Sequence, residues 1–112
     1  MDTCIFCRII AGRIAGKMIY EDESVVAIED VNPQAPIHLL VLPREHLASL
    51  QEAAEGHVPM LGRLLTVAAQ LARQLGSKDF RTVINTGALA GQSVFHLHVH
   101  VLGGRVFHWP PG

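Results

Sequence analysis

The sequence predicts an α+β fold: an antiparallel sheet of about five strands, one long helix on a face of it, and a short helix near the N-terminus. Three observations predict it. Short apolar runs are punctuated by turn residues, residues 57–76 carry helical periodicity, and the strand connections are too short for parallel crossovers. The 112 residues fit one domain, 1–112, and 49% of them are apolar, enough for an ordinary core.

The elements follow in order. "CIFCRIIA" (4–11) reads as the short helix, stopped at Gly12. "KMIYED" (17–22) and "VVAIED" (25–30) read as strands around the acidic turn Asp22-Glu23-Ser24. "NPQAP" (32–36) is irregular, because two prolines exclude a central strand or a helix interior. "IHLLVLP" (37–43) is apolar on both faces and suits a central strand covered on both sides. In the long helix Met60, Leu61, Leu64, Leu65, Ala68, Leu71, Ala72 and Leu75 form the apolar face, and Gly76 ends it. Arg63, Thr66, Gln70, Arg73 and Gln74 face water. "FRTVIN" (80–85) and "VFHLHVHVL" (94–102) are the last strands, joined through the glycine-bearing loop "TGALAGQS".

Bulk properties exclude several functions. Nine Lys+Arg against ten Asp+Glu leave a formal charge of −1, which offers no electrostatic footprint for nucleic acid or an anionic membrane. No apolar run is long enough to span a bilayer. Asp2 stands where a secretion signal would carry positive charge, so the expected location is cytoplasmic. There a structural disulfide between Cys4 and Cys7 is disfavoured. A redox C-x-x-C normally follows a strand, and only three residues precede Cys4. A zinc half-site stays open; two thiolates need two further ligands, for which histidines are the candidates.

The sharpest feature is "FHLHVHV". Side chains alternate along a strand, so His96, His98 and His100 share one face while Phe95, Leu97, Val99 and Val101 can pack under the helix. Four readings compete: a polar outer face of an edge strand, a zinc site built from all three histidines, a pH switch, and nucleophilic catalysis at phosphorus. Adjacent strand positions converge poorly on one tetrahedral centre, and no bistable element for a switch is visible. A neutral imidazole is a good nucleophile near pH 7, and its phosphoramide product hydrolyses readily. Upstream, Gln92, Ser93 and the backbone around Gly91 offer donors for a phosphate.

With "HLHVHVL" go "IFCRIIAGRI", "YEDESVVAIEDVNPQAPIHLLVLPREHL", "INTGALAGQSVFHLHVHVLGGR" and the terminal "HWPPG". In this order they resemble the histidine triad (HIT) superfamily, and within it the Hint branch of purine nucleoside phosphoramidases. The resemblance implies a homodimer whose sheet continues across two subunits. It implies hydrolysis of an adenosine or guanosine 5′-phosphoramidate in two steps, through a nucleotidyl-histidine on His98, with no cofactor in the chemistry. His100, His38, Ser93 and Gln92 would complete the catalytic set, with His100 at the phosphate oxygens and Gln92 and Ser93 holding the phosphate and assisting the leaving group. Asn85 and Gly91 would lie on the phosphate side, Asp30 would take the ribose hydroxyls, and Phe6, Ile9, Ile14, Ile28 and Leu40 would line the base. Trp109 would reach the partner subunit's site. Glu29 departs from relatives that carry histidine there. By the same resemblance, Cys4, Cys7, His46 and His96 match a structural zinc site. Alternatives are a dimeric nucleotide-binding scaffold, or another nucleotide hydrolase or transferase of the superfamily.

Overall fold

The structure, a computed structural model, describes residues 3–112; Met1 and Asp2, on which the N-terminal charge reading rests, lie outside the described residues. Its elements are α1 (Ile5–Ile10), β1 (Met18–Glu21), β2 (Val25–Glu29), β3 (Ile37–Pro43), α2 (Val58–Gln74), β4 (Phe80–Val83) and β5 (Val99–Gly103). The five strands form one sheet in the order β1-β2-β3-β5-β4, antiparallel throughout. This is the α+β architecture expected, with the charge-free β3 at its centre.

The two faces of the sheet differ. On one, Leu39 and Val41 of β3 and Val99 and Val101 of β5 pack with Leu64, Val67, Ala68, Leu71 and Ala72 of α2. Burying each of the larger side chains contributes about 1.5–3 kcal/mol. On the other face, Leu40 and Leu42 join Val26, Ile28 and Phe6 of α1. Because β3 alternates, His38 falls on this second face beside Leu40, where His98 and His100 also emerge.

α2 accepts Pro59 in its first turn, where no helical N–H is needed. It ends in a Schellman arrangement: Gly76 at φ +87° donates to the Arg73 carbonyl, and Ser77 to that of Ala72. The buried stripe is narrower than the sequence pattern. Leu65 and Leu75 are 48% and 51% exposed, while Val67 is fully buried. The sheet touches the stripe centred on Leu64, Ala68 and Leu71, and residues a quarter-turn away stay in water. A polar knot ties α2 to the first hairpin. The Asp22 carboxylate accepts from the Ser24 and Val25 amides, the Tyr20 hydroxyl and Arg63. Burial pushes that carboxyl up, but these donors outweigh it and hold it well below the usual carboxylate range.

Strand β5 is shorter than the pattern implied. Register would place Leu97 against Pro43, which has no N–H, and Leu97 instead donates to the Leu47 carbonyl. Residues 94–98 therefore run beside the sheet without joining the ladder, and Phe95 is half exposed rather than packed under α2. The edge-strand reading of the histidines also fails: β5 is internal, and His96 is fully buried. No helix among the described residues is long and apolar enough to cross a membrane.

Candidate active site

A cleft of about 280 Å³ opens on the face away from α2. Phe6, Ile9, Ile28 and Leu40 form its apolar wall. Asp30, Asn85, Gly91 and Ser93 border it, together with His98 and His100. Gly91 adopts φ +101°, which brings its backbone beside the Asn85 amide; a side chain there would be strained. Glu29, the position that departs from relatives with histidine, also lines the cleft, as do Ile5, Val31 and Val94, which neither residue type nor spacing marked in the sequence. Glu29, about half exposed, pairs with the more exposed Lys17 at 3.3 Å.

Backbone groups set the proton on His98, His96 and His38, and His38 in turn sets it on His100. His98 Nδ1 lies 2.6 Å from the His96 carbonyl, so it carries the proton and leaves the Nε2 lone pair free. His96 Nε2 donates to the Pro43 carbonyl at 2.8 Å, leaving its own Nδ1 unprotonated. His38 Nδ1 accepts from the Gln34 amide at 3.0 Å, which puts the His38 proton on Nε2. That proton is donated across 2.9 Å to His100 Nδ1, so His100 keeps a proton on Nε2. In the cleft the row thus offers one lone pair, on His98 Nε2, next to one N–H, on His100, while the His96 lone pair lies outside the cleft lining, among Cys4, Cys7 and His46.

Asp30, His38 and His100 also lie close enough to be considered as metal ligands. The ring geometry argues against it. An imidazole nitrogen sits about 1.15 Å from its ring centroid, so collinear rings at this separation would have centroids about 5.2 Å apart. The observed centroid distance is 5.2 Å. The two nitrogens point straight at each other, as in a linear hydrogen bond, and leave no common point for an ion. Burial keeps His38 below its ordinary pKa, partly opposed by the Asp30 charge 3.3 Å away. Burial, reinforced by His98 and His38, pushes His100 down to about 4. Both rings are neutral near pH 7.

Cys4, Cys7, His46 and His96 behave oppositely. Their Sγ and Nδ1 atoms stand 3.2 to 3.5 Å apart in the four recorded pairs. A tetrahedron with Zn–S of about 2.3 Å and Zn–N of about 2.05 Å has edges of about 3.3–3.8 Å. The His46 and His96 rings meet edge to face with centroids 4.9 Å apart. Collinear rings with their Nδ1 atoms 3.2 Å apart would need about 5.5 Å, so the lone pairs converge on a shared point. The Pro43 carbonyl holds His96 in the tautomer a metal requires. Burial, then the neighbouring Cys4, raises the Cys7 thiol, a cost that a bound cation would reverse. The donor set fits zinc.

Four residues marked in the sequence sit apart from the cleft lining; the first, His38, was expected to line the site and instead meets it only through its bond to His100. Gln92 is buried, accepts from Gly87 N–H and donates to the Ala48 and Val94 carbonyls, so its amide is used within the loop. Ile14 is half-buried and lies outside the lining. Trp109 is 81% exposed on the tail.

Comparison with known proteins agrees with this geometry. The family model for the scavenger mRNA decapping enzyme C-terminal binding domain matches residues 3–106. A HIT-like protein of Synechocystis is 50% identical over 112 residues, covering 99% of this chain and 98% of that one. A 14 kDa zinc-binding protein of maize is 50% identical over 111 residues, covering 96% and 87%. Among solved structures, a HIT family hydrolase from Legionella pneumophila superposes with a TM-score of 0.95 at 38% identity, over 98% of this chain and all of the other. With the histidine row, the cleft and the fold in agreement, the chain belongs to the histidine triad superfamily and has the fold of its hydrolases.

Proposed function

We propose that the protein is a Hint-type purine nucleoside 5′-phosphoramidate hydrolase. One observation carries the reading: the 2.6 Å bond from His98 Nδ1 to the His96 carbonyl, which directs Nε2, as the nitrogen without the proton, toward the cleft beside the His100 N–H. His98 Nε2 attacks phosphorus, the P–N bond breaks, and the amine leaves with a proton supplied from the Ser93 side. The imidazolium formed on His98 is stabilised by the His96 carbonyl. His100 Nε2–H donates to a phosphate oxygen, and His38 holds His100 in that tautomer. Water then attacks the phosphorus, the bond to His98 Nε2 breaks, and a proton of the water returns to the Ser93 side, which releases the nucleoside monophosphate and restores the site.

The apolar wall of Phe6, Ile9, Ile28 and Leu40 supports a planar base, and Asp30 at the border supports a ribose. Gln92 acts by pinning the loop that carries Gly91 and Ser93. Zinc held by Cys4, Cys7, His46 and His96 is structural, cross-linking α1 to the segments that follow β3 and precede β5; it has no part in the chemistry. The zinc-binding name of the maize relative supports this assignment. The homodimer reading is supported by the open edge of β4 and by the exposed Val58 and Leu65 of α2.

Incubation with adenosine 5′-phosphoramidate should yield AMP, with a nucleotidyl adduct on His98 in acid-quenched protein. A panel that includes dinucleoside polyphosphates separates the P–N reading from a pyrophosphatase. Turnover confined to polyphosphates refutes it.

A further inference from the structure

Helix α1 is shared by the metal-ligand set and the cleft. Cys4 caps it and Cys7 lies within it. Ile5, Phe6 and Ile9, on the same six residues, line the cleft. Phe6 meets the His98 ring edge-on, with centroids 5.2 Å apart and planes at 89°. It also meets His96 at 5.9 Å.

α1 has little stability of its own. Six residues are far below the length at which a helix persists alone. Its cap acceptor is the Cys4 sulfur, 3.4 Å from the Cys7 amide, a weak substitute for a serine or aspartate oxygen. No acidic residue in its first turn complements the dipole. Phe6, Ile9 and Ile10 pack α1 onto the sheet, and its two sulfurs approach His46 and His96.

Resting on the phosphoramidase reading, we infer that the Cys4–Cys7–His46–His96 centre is a positioning device for nucleotide binding. A bound zinc ion pins α1, and α1 in turn sets Phe6 against the His98 ring and Ile5 and Ile9 along the base. The nucleophile is less dependent on it. His96 is held separately by the Pro43 carbonyl, and the His98–His96 bond involves no atom of α1. Metal loss therefore acts on KM more than on kcat.

The test uses the full-length protein loaded with zinc, stripped by a chelator, and reloaded with zinc chloride. AMP affinity is read by calorimetry, and the state of the sheet by amide exchange. Stripped protein should keep protection in α2 and β3 and lose it in α1. It should bind AMP roughly tenfold to a hundredfold more weakly, the scale of one buried apolar side chain, with affinity restored on reloading. Zinc-loaded Phe6→Ala should keep its metal and show the same weakening, with KM raised more than kcat is lowered. Stripped protein with an intact sheet and unchanged AMP affinity overturns the inference. So does global unfolding on stripping, since the device needs α1 to be released from an intact sheet, and so does a protein that takes up no zinc. Zinc-loaded protein that binds no AMP refutes the phosphoramidase reading itself, and this appears in the loaded sample before any stripping.

Discussion

His98 Nδ1 lies 2.6 Å from the carbonyl oxygen of His96, so one member of the histidine row fixes the proton of the next through its backbone. The carbonyl leaves His98 a single reactive nitrogen. His98→Ala should lower phosphoramidate turnover by at least about a thousandfold, as expected for loss of a nucleophile. AMP affinity should change little. Steady-state kinetics and calorimetry check both, and full turnover in the variant excludes covalent catalysis by His98.

His38 never borders the cleft, yet it directs the His100 proton. His38→Ala frees His100 to adopt either tautomer. We expect kcat to fall by roughly 10²-fold, in the range of a lost acid–base contribution, with KM moving less. A variant with unchanged kcat would remove the relay from the mechanism.

The depressed His100 and His38 also predict how stability depends on pH. Both rings are neutral in the fold, and unfolded histidine titrates near 6.5. Above that pH neither state binds the proton, so the two residues leave stability unchanged. As pH falls below it, the unfolded chain takes up protons that the folded chain refuses, and stability declines until His100 itself titrates at about 4. Urea midpoints should drop between pH 7 and pH 5, and His100→Asn should flatten that drop. An equal slope in the variant would assign the loss elsewhere.

Protein purified without chelator should contain about one zinc per chain by elemental analysis, and Cys7→Ser should lose it. Retention of full metal content by Cys7→Ser would place the metal at other ligands.

Leu64 and Leu65 are neighbours with opposite fates. Leu64 is 1% exposed in the core, whereas Leu65 is 48% exposed. Leu64→Ala should cost about 2–5 kcal/mol, and Leu65→Ala at most about 1 kcal/mol in the monomer. Denaturant titrations at dilute concentration separate them. At higher concentration, Leu65→Ala should weaken self-association if α2 contributes to a dimer, as sedimentation would show.

Much of the fold was legible in the chain. The continuous apolar run "IHLLVLP", the acidic turn at Asp22 and the periodicity ending at Gly76 are local signals, legible without knowing what packs against them. The histidine row announced a site through its spacing, and the order of surrounding motifs indicated which family. The limits of β5 were not legible, because they depend on which residue of β3 stands opposite. The exposure of Leu65 and the burial of Val67 depend on the angle at which α2 meets the sheet. Tautomers lay furthest out of reach. Residue types place a histidine, but the carbonyls of His96 and Pro43 and the amide of Gln34 place its proton, and those groups meet the rings only once the chain has folded. The sequence by itself determined which chemistry was available; tertiary structure decided which nitrogen is free to perform it.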